Sequence, residues 1–181
     1  MANASFDPGG YFEFDLARGA VRARGGERVL VLAGDVLAPL VSAAVGNGDL
    51  TAVRKMGRQL GEAVLQELNA PMDQPMEAVL GHAAAVLSIF GWGRLEMERW
   101  GDALVAALED LPALDEDHLG VAALLGGLLS SLGGTEVACV PVGRDGRFMV
   151  VDPSVAQQIW KWARGGDGVA TIVSRLAPEN A

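Results

Sequence analysis

The fold turns on residues 117–151, DHLGVAALLGGLLSSLGGTEVACVPVGRDGRFMVV, which read as an apolar helix, a double-glycine stop and a two-stranded hairpin. From Leu119 to Leu132 apolar side chains occur all round the helical wheel, so the spacing predicts a core helix covered on two faces. At about 15 residues it is too short for a bilayer, which needs about 20, and the residues that follow alternate as a strand instead. Gly133 and Gly134 supply the left-handed stop that ends such a helix. Residues 135–142 and 147–151 then flank Gly143-Arg144-Asp145-Gly146, whose Asp-Gly pair signals a hairpin.

Outward from that stretch, composition narrows the function classes. Half of the 181 residues are hydrophobic and 20% are charged, a balance that fits one compact domain with room for a short appendage. The net charge of −9, from 23 acidic against 14 basic residues, argues against nucleic acid, whose phosphates call for clustered Lys and Arg. It also disfavours anionic membrane surfaces. A single cysteine excludes an internal disulfide and a thiolate metal cluster, and points to a reducing, cytoplasmic setting. The opening MANASFDPGG has neither the basic nor the apolar region of a secretory signal.

Upstream, residues 11–16 alternate as a strand with Phe12, Phe14 and Leu16 expected inward. After a turn at 17–19, residues 20–24 return as a polar strand, and Gly25-Gly26 turns again. Arg28 to Ala33 contains four consecutive aliphatics, either a short buried strand or an extended lead into the next helix. Asp35 is expected to cap that helix, with Pro39 in or near its first turn. Gly46-Asn47-Gly48-Asp49 breaks the chain, and Asp49 caps a long helix reaching about Asn69. Its stripe holds Val53, Met56, Gly57, Leu60, Gly61, Val64, Leu65 and Leu68. Arg58 and Glu62 are spaced to pair on the opposite side. Gly57 and Gly61 open a notch for another helix or a ligand, at a cost of about 1 kcal/mol each relative to Ala.

Pro71 and Pro75 enclose a loop, and a third helix follows over 76–90 with His82 among apolar residues, where a hydrogen-bonded structural role is expected. Residues 94–100 and 104–108 read as a hairpin turning at Gly101-Asp102. Asp115, Glu116, Asp117 and His118 resemble a metal set. Consecutive residues converge poorly on one ion, whereas acids before a helix are favoured by its unpaired N–H groups, so capping is expected. Pro153 opens a last long helix, with Val155, Ile159 and Trp162 on its stripe and Trp160 beside it, and a short helix runs from Gly168 to Leu176. A tail bearing these apolar side chains is expected to dock, on its own sheet or on another protein.

Three stretches together resemble the vinyl-reductase-like superfamily, shared by 4-vinyl-reductase-type domains, sensing domains of some aromatic-responsive regulators, and core subunits of the TRAPP trafficking complex. They are FEFDLARGAVRARGGERVLVLAGDVLAPL (12–40), VRKMGRQLGEAVLQEL (53–68), and FGWGRLEMERWGDALVAAL (90–108) followed by TEVACVPVGRDGRFMV (135–150). The resemblance implies an α+β fold, a twisted antiparallel sheet from terminal hairpins packed on a helical layer. Residues 1–152 are accordingly expected to form the domain, and 153–181, which fall outside the resemblance, a helical carboxy-terminal appendage. The resemblance further implies pairing of two chains through the helices of 36–45 and 50–69, with Gly57, Gly61 and Leu40 at the contact. In the last hairpin Glu136, Cys139 and Gly143 match the family spacing, but Arg147 stands where relatives can carry a second Cys. A zinc site is therefore not expected there, and no cofactor is implied by the residues.

The functional expectation is a non-enzymatic cytoplasmic binding module, a homodimer that takes an apolar small molecule or lipid or scaffolds a protein partner. The alternative is a reductase-associated role in tetrapyrrole metabolism. No nucleophile has a base beside it in sequence, and no dinucleotide fingerprint follows a strand. Strand parity places Val137 and Cys139 on one face. If a cavity exists it is expected between that face and the helices, walled by Val137, Cys139, Phe148, Leu60, Val64, Leu124 and Leu128. A filled core at the same place is the equal alternative.

Overall fold

The computed structural model describes residues 9–68, 75–143 and 145–176. The class is α+β. Six helices accompany two antiparallel sheets among the described residues, rather than one sheet built from the hairpins of both ends. The first sheet has three short strands, β1 (Phe12–Asp15), β2 (Ala20–Ala23) and β3 (Arg28–Val29), in that order. Three helices follow: α1 (Gly34–Gly46), α2 (Thr51–Glu67) and α3 (Met76–Ile89). The second sheet combines β4 (Arg94–Trp100), β5 (Ala103–Glu109), β6 (Ala138–Pro141) and β7 (Arg147–Val151) in the order β4-β5-β7-β6. Between β5 and β6 lies α4 (Leu119–Gly133), and α5 (Pro153–Arg164) and α6 (Val169–Leu176) close the described chain.

The helix read first behaves as its composition dictates. Eleven of the fifteen residues of α4 are buried, and Gly134 ends it at φ 66°, a conformation that costs glycine nothing. Its start is fixed by Asp115, whose carboxylate accepts from the backbone N–H of Leu119 at 2.8 Å and of Gly120 at 2.9 Å. Two orphan donors of the first turn are thereby satisfied.

α2 packs directly on α4 through glycines on both helices. A Cβ on Gly57 would lie 1.9 Å from the carbonyl oxygen of Leu124, and one on Gly127 would lie 2.0 Å from that of Arg54. On Gly61 it would lie 2.8 Å from the Ser131 Cβ. The notch expected for a second chain is therefore filled by α4 of the same chain, and Gly57 and Gly61 are buried there. Leu40, the third residue expected at that contact, is 66% exposed.

Strand parity in the second sheet serves two cores. Leu95, Ala106, Leu108, Cys139 and Phe148 face the helical layer. Val105, Val140 and Met149 face α5 and α6, where Ile159 and Ile172 are wholly buried. The carboxy-terminal helices thus dock on this chain's own sheet. Asp152 caps α5 by accepting from the Ser154 N–H at 2.8 Å, with Pro153 at the first helical position, where a missing N–H costs nothing.

Several local expectations change. Phe14 and Leu16 are 59% and 89% exposed, while Tyr11 is buried, because the small sheet meets the helices through Tyr11, Phe12 and Ala23. The aliphatic run after Arg28 is an extended lead, and Leu30, Val31 and Leu32 are exposed. Asp35 lies within the first turn of α1 and makes no capping bond, and Pro39 sits in the second turn. Asp49 does accept from the Thr51 N–H at 3.0 Å. Arg58 turns to Glu136 rather than to Glu62.

Replacing Gly57 by Ala is expected to destabilise by about 1–3 kcal/mol, although Ala is the better helix former by about 1 kcal/mol, because the added carbon meets a backbone carbonyl that cannot swing aside. Thermal melts of the variant against wild type check it; an unchanged or raised midpoint would mean that α2 and α4 separate easily.

Candidate ligand-binding site

The residues expected to wall a cavity behind the last hairpin are split by the structure. Phe148 and Leu128 are fully closed to solvent, and Val64, Leu124 and Cys139 are buried in the same cluster. Leu60 and Val137 are only partly buried at its edge. Val137 helps to line a small apolar pocket of about 190 Å³ with Met97, Leu104 and Leu132, and Leu60 lines a separate cleft beside α2. The glycine contact draws α2 so far onto α4 that side chains from both helices and the sheet interdigitate here.

Polar chemistry at this hairpin is structural. Arg54 Nη2 donates to Ser130 Oγ at 3.1 Å, to Glu136 Oε2 at 2.7 Å and to the Val137 carbonyl at 2.7 Å. Ser130 Oγ in turn accepts from the Val137 N–H at 3.0 Å and donates to the Gly126 carbonyl at 2.6 Å. Hydrogen bonds from Arg58 and then Arg54 hold the Glu136 carboxyl below the usual range. Burial pushes the Cys139 thiol up to about 12, so at neutral pH it is protonated and a poor nucleophile or metal ligand. Arg147 is turned to the other face, bonded to Glu98 at 2.9 and 3.0 Å and to Asp145. Among the described residues no three His, Cys, Asp or Glu side chains gather as a metal would require. The two histidines are apart in function. His82 Nε2 lies 3.1 Å from Glu67 Oε2, whereas His118 sits at φ 56° before α4.

Open space lies instead between the helices and the small sheet. A cleft of about 440 Å³ is roofed by the segment Val29–Leu32 with Gly34 and Leu37, and floored by Phe12, Ile89, Phe90 and Trp92. Met56, Pro112 and Leu114 complete its walls. A neighbouring cleft of about 630 Å³ shares Val29, Leu30, Met56 and Phe90, and adds the polar residues Tyr11, Arg24, Arg28, Gln59, Gln66 and Glu67. The two adjoin through these shared residues, and both are lined mainly by carbon, with the charged and amide side chains in the second.

The floor is an aromatic cluster in edge-to-face geometry. Phe90 lies 5.4 Å from Phe12 and 6.0 Å from Tyr11, ring centre to ring centre, with planes 86° and 83° apart. Such contacts fix ring orientations. Tyr11 is further held by its hydroxyl, which donates to Glu67 Oε1 at 2.7 Å. Burial, reinforced by that bond, raises the phenol pKa well above its ordinary value. Glu67 therefore bridges Tyr11 and His82, tying the small sheet to α2 and α3. Trp92 lines the first cleft. A flat apolar molecule would meet aromatic and aliphatic side chains here.

Sequence reasoning missed Tyr11, Met56, Phe90, Trp92 and residues 30–32 as a group. The available signal was the clustering of aromatics at two glycine breaks, Gly9-Gly10-Tyr11-Phe12 and Phe90-Gly91-Trp92-Gly93.

No family model matches the chain, and no curated protein matches it. Among solved structures, the crystal structure of the phenol-responsive sensory domain of the transcription activator PoxR, with phenol, superposes with a TM-score of 0.54. The match covers 86% of this chain and 90% of that one at 14% sequence identity. The likeness is one of fold. It places the α+β arrangement described above alongside that of a small-molecule sensory domain.

Two measurements follow from the hairpin chemistry. Because the Glu136 carboxyl is depressed, its ion pairs contribute stability that is complete above the ordinary carboxylate range and is lost as pH falls through the lowered value. Glu136→Gln should therefore melt below wild type at neutral pH, with the two curves converging on acidification; a constant gap down to strong acid would remove the linkage. Cys139 should resist a thiol reagent in the native protein and react only on unfolding, so rapid labelling at neutral pH without denaturant would contradict its burial.

Proposed function

We infer that this chain is a non-enzymatic binding module for an apolar or aromatic small molecule. The observation that carries the reading is the carbon-lined cleft over Phe12, Phe90 and Trp92, beside a second cleft that brings in Tyr11 and Glu67. Sites of this size with apolar walls and a few polar groups suit small ligands. The fold likeness to a sensory domain that was crystallised with phenol supports the class of function. The vinyl-reductase-like resemblance of residues 12–40, 53–68 and 90–150 is compatible with it. In this reading residues 1–152 form the ligand-holding unit, and the appendage from Pro153 covers its sheet. The protein works as a homodimer in a reducing cytosol, and no helix among the described residues is long and apolar enough to cross a membrane.

A binding role also accounts for the residue inventory better than catalysis does. The carboxylate of Glu67, which lines the cleft, is committed to Tyr11 and His82. The cleft offers shape and aromatic surface.

Calorimetric titration with phenol, and in parallel with the larger aromatic dye 8-anilinonaphthalene-1-sulfonate, tests the reading. At least one of the two probes is expected to bind wild type. Met56→Arg, at a wall position that is 41% exposed, should abolish that binding with little change in melting temperature, whereas Cys139→Trp should destabilise by about 1–3 kcal/mol through overpacking. Binding of neither probe, or binding by Met56→Arg as tight as wild type, would move the site out of this cleft.

A further inference from the structure

Beyond Val29 the ladder of the small sheet stops. β3 pairs with β2 only through Val21 with Val29 and Arg22 with Arg28. The chain then runs extended to α1, and its next three side chains, Leu30, Val31 and Leu32, are 76%, 70% and 58% exposed. Extended backbone carrying bare aliphatic side chains at a sheet edge is a template for another strand. Val36 and Leu40, one turn apart on α1, continue the patch at 54% and 66% exposure. No charge interrupts residues 29–34, but Arg28 stands at one end and Asp35 at the other. Arg28 also lies directly across the ladder from Arg22, a like-charge pairing that an added carboxylate would relieve.

We propose that this strap is the contact between two copies of the chain, related by a two-fold axis, with the two straps antiparallel. In that arrangement each Arg28 approaches Asp35 of the partner subunit, at both ends of the contact. Parallel straps would instead set Arg28 against Arg28 of the partner subunit and Asp35 against Asp35 of the partner subunit. The patch is thus complementary to itself under the symmetry that isologous dimers use. Chains that each carry a net charge of −9 repel as wholes, so an uncharged segment bounded by opposite charges is where they can meet. The same segment roofs the cleft, so the second copy covers the cleft's open side and adds aliphatic surface to it. This last step rests on the ligand-binding reading; the contact itself does not.

Sedimentation of ligand-free protein over a concentration series tests the contact. Wild type should dimerise, and Val31→Lys should remain monomeric while keeping the circular-dichroism spectrum of wild type, since the side chain is 70% exposed. Arg28→Glu and Asp35→Arg should each lose the dimer, and the double variant R28E/D35R should regain it. A wild type that is monomeric at every concentration, a dimeric Val31→Lys, or a double reversal as monomeric as the singles overturns the proposal. The outcomes are separable from the binding reading. A wild-type monomer that binds an aromatic probe defeats only the strap contact, whereas a dimer with the charge-reversal pattern that binds neither probe supports the contact and defeats the binding reading.

Discussion

The approach of α2 to α4 governs the rest of the structure. Each helix gives up a side chain where the other's backbone comes nearest, Gly57 beneath the Leu124 carbonyl and Gly127 beneath that of Arg54. Glycine inside a helix costs about 1 kcal/mol against Ala, which closer packing must offset. What the approach gains is dispersion contact along two backbones and a route for Arg54. A Cβ on Gly126 would lie 2.6 Å from Arg54 Nη1, so the bare backbone there lets the guanidinium cross α4. It then reaches Ser130 and the Val137 carbonyl, while Ser130 takes the Val137 N–H. Both backbone groups of the residue before β6 are satisfied by side chains, and the entry of the last hairpin is fixed from the helical layer.

That hairpin in turn places the sheet between two cores. Phe148 and Met149 are adjacent and both wholly buried, one against α2–α4 and the other against α5–α6. Consecutive apolar residues in a strand mean that both faces must be covered. Without the carboxy-terminal helices, Val105, Val140 and Met149 would form an exposed apolar surface. The remainder of the outer face bears Glu98 and Arg147, whose paired side chains keep that part wet.

The sequence patterns were most legible where a single physical demand acted. The apolar wheel of 119–132, the Gly134 stop, the Asp115 cap and the hairpins β4–β5 and β6–β7 all reflect local chemistry, and the structure agrees with each. Partners at long range were not legible. Helical spacing put Arg58 within reach of Glu62, yet Glu136, 78 residues away, wins because the α2–α4 contact brings it close. The Gly57–Gly61 stripe announced a close approach without naming what approaches. Alternation in residues 11–16 indicated a strand, but parity presumes a covered face, and the small sheet is covered only near Tyr11 and Phe12. The space behind the last hairpin has a related reason: periodicity tells which side chains share a face, and packing density decides whether space remains between them.

The position of the cleft follows from how the small sheet is attached. Its strands join none of the edges of the larger sheet, so it is held by side chains. The main tie is polar: Tyr11 and His82 both engage Glu67, whose side chain is 15% exposed. A carboxylate so enclosed is costly unless donors surround it, and hydrogen-bond geometry sets the spacing of its partners more sharply than apolar contact does. The tie therefore acts as a strut of fixed length between the small sheet and the α2–α3 pair. Beside it, Phe12 and Phe90 meet edge to face, while Leu30–Leu32 cross above without filling the gap. An apolar interface alone would be free to collapse until its voids closed. Here the strut holds the two layers apart at one end, and the residual space next to Phe90 and Trp92 is the cleft.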